Sequence, residues 1–403
     1  MPNQEDLKRQ EIQLIDETYA LVQPKVIHMG RGAVKSLGAE LTQRAPKMIF
    51  VVTDPMIQSL GILDRALHGT AAFRDRMELF LNPQPDPDIS IVEGCASRLK
   101  RESFDLILGI GGGSPLDVAK GASALAVHQE SARSLLGRNL LKRNALPTIL
   151  IPTTSGTGTE VSQAAVMEVP EEETKKSIWD PRIVAETAIV DPELATLMPP
   201  ELTAETGIDA LYHAIEGFTA KTSNPIAKLY CLEAIRLIAQ YLRKAYNNGE
   251  DLGAREAMSR AATLAGIGFS NGGLGAVHGL ALALDSRQGF SHGKGLAVLG
   301  PWVMKFNSVA HESIYTTIAE ALGESTQGLS THEASQKACD AVTRLALDVG
   351  ISPYLENHGI QSQDIPGLAQ RGYRLSQRLM PMNITEMKEE NVLEIFWKAY
   401  GKT

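Results

Sequence analysis

The chain has 403 residues, 43% of them hydrophobic and 5% aromatic, with 35 Gly and a formal net charge of −8; this suits a soluble α/β protein of two domains of about 150–200 residues each. No Lys/Arg block is dense enough for a nucleic-acid or anionic-membrane footprint, no run reaches the roughly 18 apolar residues of a membrane span, and the N-terminus lacks a secretory h-region. Cys95, Cys231 and Cys339 are too scattered for a disulfide framework or a CxxC site, so a cytoplasmic location is expected.

Residues 1–20 are charged, with apolar positions at Leu7, Ile12, Leu14 and Ile15 that suit a short surface helix. From Val26 the pattern changes to short β-rich runs separated by helical stretches: KVIHMG, MIFVVTD (48–54), FDLILGIGGG (104–113), PTILIPTT (147–154) and AIVD (188–191). That alternation predicts a parallel sheet covered on both faces. After MPPE (198–201) the runs stop, and helices are predicted over 203–220, 225–246, 253–270, 274–285, 308–322, 331–349 and 387–400. The predicted architecture is an α/β domain over 1–199 joined to an all-helical domain over 200–403, with a cleft between them for a ligand.

FDLILGIGGGSPLDVAKGAS reads as a strand, a glycine turn and a helix in which Ser114 can cap, Pro115 takes the first position and Asp117 falls in the first turn. Such a turn aims free N–H groups and the positive end of a helix dipole at a docking anion, phosphate above all. A second polar turn, TTSGTGTE (153–160), follows the next strand and can close over the same anion. Neither completes GxGxxG or GxxxxGK[ST], so a plain tight connection is the competing reading. Asp54 ends MIFVVTD, where a carboxylate can bond both ribose hydroxyls of a dinucleotide or simply cap a helix.

In TGIDALYHAIEG (206–217), Asp209 and His213 lie one helical turn apart among small and aliphatic residues. His278 in GGLGAVHGLALAL and His292 in GFSHGKGLAVLGP have similar surroundings. Each imidazole could be satisfied by a backbone carbonyl. A buried carboxylate and imidazole are costly unless paired or coordinated, however, and three imidazoles with one carboxylate suit Fe(II), Zn(II) or a neighbouring divalent ion. There is no HExxH, no zinc-binding Cys cluster and no YxxxK.

Together, PKVIHMGRGA, VVTD, LGIGGGSPLDVAK, IPTTSGTGTEV, IVDPEL, LTAETGIDALYHAIEG, GLGAVHGLALAL and FSHGKG give a sequence that resembles the iron-containing (group III) alcohol dehydrogenases over nearly its whole length. The resemblance implies an N-terminal dinucleotide-binding domain and a helical metal-binding domain, the dehydroquinate synthase-like architecture. It places Asp209, His213, His278 and His292 on the metal ligands, which double as the catalytic set. Asp54, Gly111, Gly112, Gly113, Ser114, Asp117, Thr153, Thr154 and Thr157 fall on positions that hold NAD, Ser162 and Val166 on further cofactor contacts, and Lys175 on a lysine near the cofactor.

The implied activity is hydride transfer between a nicotinamide and a small alcohol or aldehyde, assisted by Fe(II) or another divalent ion, in a homodimer or higher homo-oligomer. The alternative within this architecture is a lyase that uses NAD within one catalytic cycle; it would be expected to have Glu as first ligand and basic residues for a phosphorylated substrate, and neither is evident. Two departures stand out. Many members carry His where this chain has Leu282, and Gly and Pro where it has Asp285 and Ser291.

Overall fold

The computed structural model of the protein describes residues 18–82, 86–285 and 290–401. The helix expected within residues 1–20 lies almost wholly outside them. Six strands form a parallel sheet: β1 (Val26–Met29), β2 (Ile49–Thr53), β3 (Met77–Leu81), β4 (Leu106–Gly111), β6 (Thr148–Pro152) and β9 (Thr187–Val190), in the order β1-β9-β6-β4-β2-β3. Every residue of β2, β4 and β6 is buried, as strands covered on both faces must be. Alternate residues serve opposite cores: Phe50 and Val52 pack with Val92 and Leu116, whereas Ile49 and Val51 pack with Leu37 and Leu63.

The strand order fixes the position of the cleft. From β2 the chain moves outward to β3 and then crosses back past β2 to β4, so the topological switch point lies between the C-terminal ends of β2 and β4. Connections leaving in opposite directions open a crevice there, the usual ligand position in open α/β sheets. Asp54 follows β2, and Gly111–Gly113 end β4 and begin helix α2 (Gly113–Val127), which packs beside α1 (Ile89–Arg101).

A second, three-stranded sheet had no counterpart in the sequence reading. It contains β5 (Gly137–Arg138), β8 (Thr174–Trp179) and β7 (Ala164–Val169), with β7 and β8 as an antiparallel hairpin. Its strands, and β3, are short or partly exposed and carry polar residues, TKKSIW being the clearest case, so continuous apolarity does not mark them.

Beyond Pro200 the described residues are helical: α3 (Pro200–Thr219), α4 (Pro225–Asn247), α5 (Leu252–Gly272), α6 (Ala276–Ala281), α7 (His292–Ser308), α8 (Glu312–Ala321), α9 (Thr331–Asp348), α10 (Ile365–Leu375) and α11 (Glu389–Tyr400). One continuous apolar core joins them, from Leu211 and Ile215 through Leu296 and Val303 to Phe396. The helix expected over 274–285 is only the short α6, and α7 and α10 were not predicted. HGKGLAVLGPWVMKFNS carries three Gly and Pro301, which weaken helix propensity. Close packing explains two of the glycines: a Cβ on Gly293 would meet the Glu205 carbonyl oxygen at 2.4 Å, and one on Gly300 would overlap the Tyr212 ring. Among the described residues, no helix is long and apolar enough to cross a membrane.

Candidate active site

Helix α3 presents Asp209, His213 and Glu216 along one face, at positions i, i+4 and i+7. His278 lies within α6, and His292 opens α7 behind the N-cap Ser291. Asp209 Oδ1 is the hub: His213 Nδ1 and His278 Nε2 are each 3.5 Å from it, and His292 Nε2 is 3.9 Å away. Ligand-type atoms of Asp209, His278 and His292 all lie within 4.8 Å of one another. His213 borders this group, its ring stacked on His278 (centroids 4.5 Å apart) and on Phe269 (4.2 Å).

Asp209, His213 and His278 are buried, yet Asp209 Oδ1, His213 Nδ1 and His278 Nε2 have no hydrogen-bond partner. Each of these atoms, buried without a hydrogen bond, carries a desolvation cost, which a cation held beside Asp209 by the imidazoles would offset. The donor set, one carboxylate oxygen with imidazole nitrogens, fits Fe(II) or Zn(II).

The rings are oriented from behind. Glu216 Oε2 is 2.6 Å from His278 Nδ1, and Asp285 Oδ1 and Oδ2 are 3.1 and 3.2 Å from His292 Nδ1. A carboxylate at Nδ1 fixes the tautomer that leaves Nε2 free for a metal. Burial pushes His213 down to about 3 against the pull of Asp209, so its ring is neutral. Burial also opposes charge on His278, but Asp209 and Glu216 outweigh it and hold that imidazole up at about 9. For Asp209, burial is likewise outweighed, here by the three imidazoles, and the carboxyl stays well below its usual range.

At the switch point the two polar turns meet. Gly111 has φ 147°, and a Cβ there would meet Pro115 Cγ at 2.4 Å, so only glycine fits. Thr153 N–H donates to the Gly111 carbonyl at 2.9 Å, Thr154 Cγ2 lies 3.4 Å from the Cβ position of Gly112, and Thr157 Cγ2 lies 2.7 Å from that of Gly113. Asp54 fulfils one reading and leaves the other open: Oδ1 caps the helix Pro55–Ser59 by accepting from Ile57 N–H, while Oδ2 lies 3.3 Å from the Cβ position of Gly111.

The helix start differs from expectation. Gly112, not Ser114, is the N-cap of α2, Pro115 is its third residue, and Asp117 falls in the second turn. Ser114 Oγ instead accepts from Asp86 N–H at 3.1 Å. On the hairpin, Val166 is partly exposed, and Lys175 Nζ lies 3.0 Å from Asp86 Oδ1 and 3.6 Å from Asp285 Oδ2.

No motif in the sequence assigns a role to Lys120, Glu160, Glu216 or Asp285. Lys120 is wholly buried and donates to the carbonyls of Thr159 (2.9 Å), Ser162 (2.6 Å) and Ala164 (2.5 Å) and, at 3.3 Å, to Ser162 Oγ; Ser162 is thus turned toward the lysine. Glu160, also buried, accepts from Thr263 Oγ1 of α5 at 2.9 Å, and Asp117 Oδ1 has no hydrogen-bond partner. Burial pushes Asp117 and Glu160 up and Lys120 down, while their mutual attraction opposes all three shifts. Spacing held a signal for two of these residues, since Lys120 is i+3 from Asp117 and Glu216 is i+3 from His213 on the same helices.

Comparison with known proteins identifies the family. Residues 24–192 match the family profile "Iron-containing alcohol dehydrogenase", and residues 203–400 match "Fe-containing alcohol dehydrogenase family, C-terminal". Long-chain-alcohol dehydrogenase 1 of Geobacillus thermodenitrificans is 36% identical over 95% of this chain and 97% of its own. NAD-dependent methanol dehydrogenase of Bacillus methanolicus is 37% identical over 87% and 92%. The structure of an alcohol dehydrogenase from Oenococcus oeni superposes with TM-score 0.90 at 30% identity, covering 95% of this chain and 100% of that one. With both halves matched in order and relatives above 30% identity along nearly its full length, the chain belongs to the iron-containing alcohol dehydrogenase family.

Proposed function

We propose that Asp209, His213, His278 and His292 hold the divalent ion of an NAD-dependent alcohol dehydrogenase or aldehyde reductase acting on a small primary or secondary alcohol or its carbonyl counterpart. The observation that carries this reading is the gathering of ligand atoms of Asp209, His278 and His292 within 4.8 Å of one another, with Asp209 Oδ1, His213 Nδ1 and His278 Nε2 buried and without a hydrogen-bond partner. When bound, the ion supplies Lewis-acid polarisation of the substrate oxygen, and the nicotinamide supplies the hydride acceptor or donor.

The chain's own residues do the rest. Asp209 offsets part of the ion's charge, and Glu216 and Asp285 keep Nε2 of His278 and His292 free. Gly111–Gly113, Ser114, Thr153, Thr154 and Thr157 form the phosphate cradle at the start of α2, where backbone N–H groups and the helix dipole favour an anion. Asp54 Oδ2 is the ribose acceptor. Asp117 and Ser162 act from beneath the cradle with Lys120, and Val166 and Lys175 border the nicotinamide end. The boundary between the two domains falls near residue 199, between β9 and α3.

Three free, buried cysteines fit a reducing cytoplasm. Edge strand β1 exposes Val26 and Met29 close in sequence to exposed Tyr19 and Leu21, which suits pairing in a homodimer or higher homo-oligomer.

The test is elemental analysis together with a panel of alcohols and aldehydes assayed by absorbance of the reduced nicotinamide. One divalent ion per chain and turnover are expected for the parent, and loss of both for His278→Ala. Full metal content and full activity in that variant would sink the assignment.

A further inference from the structure

His292 differs from the other residues around Asp209. Its side chain is 31% exposed, against 9% for His213 and 5% for His278, and no described ring stacks flat on it. Something other than close packing has to hold this imidazole. Asp285, just after α6, has a side chain only 6% exposed, and both of its oxygens face His292 Nδ1, at 3.1 and 3.2 Å.

A carboxylate in that position is expensive unless its charge is balanced. The balance comes from the other side of the cleft. Lys175 Nζ, on β8, is 3.6 Å from Asp285 Oδ2, with side-chain exposures of 14% and 6%, so solvent screens the pair little. The same ammonium is 3.0 Å from Asp86 Oδ1, and Asp86 N–H donates to Ser114 Oγ at the start of α2. A connected series of polar contacts thus runs from His292 to the glycine turn.

We propose that Asp285 is a positioning residue: it accepts the Nδ1–H of His292, aims Nε2 at the Asp209 oxygen, and is itself kept charged and in place by Lys175. The inference rests on the reading of His292 as a metal ligand given above. It concerns a residue whose contact is with the Nδ1 side of the His292 ring, and its role is the hydrogen bond to the ring rather than charge alone.

The experiment uses the full-length protein loaded with Co(II), following the visible absorption of the ion and its rate of loss to excess chelator. Asp285→Ala is expected to speed metal loss about 10- to 100-fold and to alter the Co(II) spectrum, as removal of a ligand's hydrogen-bond partner does elsewhere. Asp285→Asn keeps an acceptor for Nδ1–H and is expected to stay within about fivefold of the parent, with a parent-like spectrum. His292→Ala separates this inference from the one beneath it. If His292→Ala sheds metal rapidly while Asp285→Ala matches the parent, Asp285 does not position the ring and the inference falls. Asn behaving as badly as Ala would also overturn it, since charge rather than orientation would then be what matters. Parent-like metal retention in His292→Ala would remove the ligand assignment and this inference together.

Discussion

Glu216 and His278 are 62 residues apart in sequence, yet the carboxylate of one holds both the ring and the backbone of the other. Glu216 Oε2 lies 2.6 Å from His278 Nδ1 and accepts from His278 N–H at 3.3 Å, while Oε1 accepts from Val277 N–H at 2.6 Å. A side chain from α3 thereby satisfies the free N–H groups at the start of α6, a helix whose own N-cap, Gly275, offers no side chain. It also sets the tautomer of the imidazole beside Asp209.

These two duties separate in mutants. Glu216→Gln should keep the fold, because one amide oxygen still accepts at the helix start, but its NH2 group would face donors and leave the His278 tautomer unfixed. Metal affinity should fall about 10- to 100-fold. Glu216→Ala should lose in addition about 3 kcal/mol of folding stability, the order expected when hydrogen bonds to a buried charged group are removed. Chelator competition measures the first effect and denaturant titration the second. Unchanged metal affinity in Glu216→Gln would show that the His278 ring is held by something else.

Asp54 calls for a conservative replacement, because it also caps a helix. Its Oδ1 caps the helix Pro55–Ser59, so Asp54→Gly would weaken the turn as well as remove the charge. Asp54→Asn keeps the cap, since Asn caps as well as Asp. The parent should prefer NAD, and the ratio of kcat/KM for NADP over NAD should rise about tenfold or more in Asp54→Asn, since like charges facing each other cost several kcal/mol. Equal kcat/KM with the two cofactors in the parent would mean that Oδ2 does not face the ribose.

The parts of this structure readable from the sequence were those where one physical requirement dominates. Buried parallel strands had to be continuously apolar, so FVV and LILGI stood out. A glycine turn stood out after a buried strand, and Asp209 and His213, one turn apart on an apolar helix, stood out as costly to bury alone. What escaped depended on residues distant in sequence. The β7–β8 hairpin carries polar residues because its strands are only partly buried, and Lys175 on it comes within 3.6 Å of Asp285 Oδ2. Helix α7 has glycines because Glu205 and Tyr212 press against it, a reason invisible without the neighbours. Ser114 has the residue type of a cap, but the helix begins before it at Gly113 and its Oγ accepts from Asp86 N–H instead.

Lys120 has no exposed surface, and its ammonium gathers three carbonyls from the segment Thr159–Ala164 that follows the second turn. It therefore fixes the shape of that segment and, through Thr157, the roof over Gly113. Lys120→Met keeps the volume but leaves the carbonyls, and the carboxyl groups of Asp117 and Glu160, without their cation. Breaking a buried charged cluster in this way should destabilise the fold by about 3–5 kcal/mol. NADH affinity should fall while metal content is retained, because Asp209 and its imidazoles lie on other elements. Denaturant midpoints and fluorescence titration with NADH are the measurements. A loss under about 1 kcal/mol would show that the lysine is replaceable by apolar packing.

Leu282 follows α6 one turn after His278, is half-buried, and stands where many family members have histidine. An imidazole there could pass the alcohol proton to solvent, because its reference pKa of about 6.5 lets it change charge near neutral pH. Leucine can only fill space and exclude water. For alcohol oxidation, a relay imidazole must be neutral to accept the proton, so a relay-dependent kcat is full above its pKa and falls as pH drops through it. The parent should therefore show little inflection in kcat between pH 6 and about 7, and Leu282→His should gain one, with lower rates on the acid side. The apolar side chain should also favour a linear alcohol over a diol of similar length, and the histidine variant should narrow that preference. The checks are pH–rate profiles of both proteins and kcat/KM for the two substrates. A parent that already prefers the diol and already shows the inflection, with neither altered by Leu282→His, would mean that the proton leaves by a route this position does not touch.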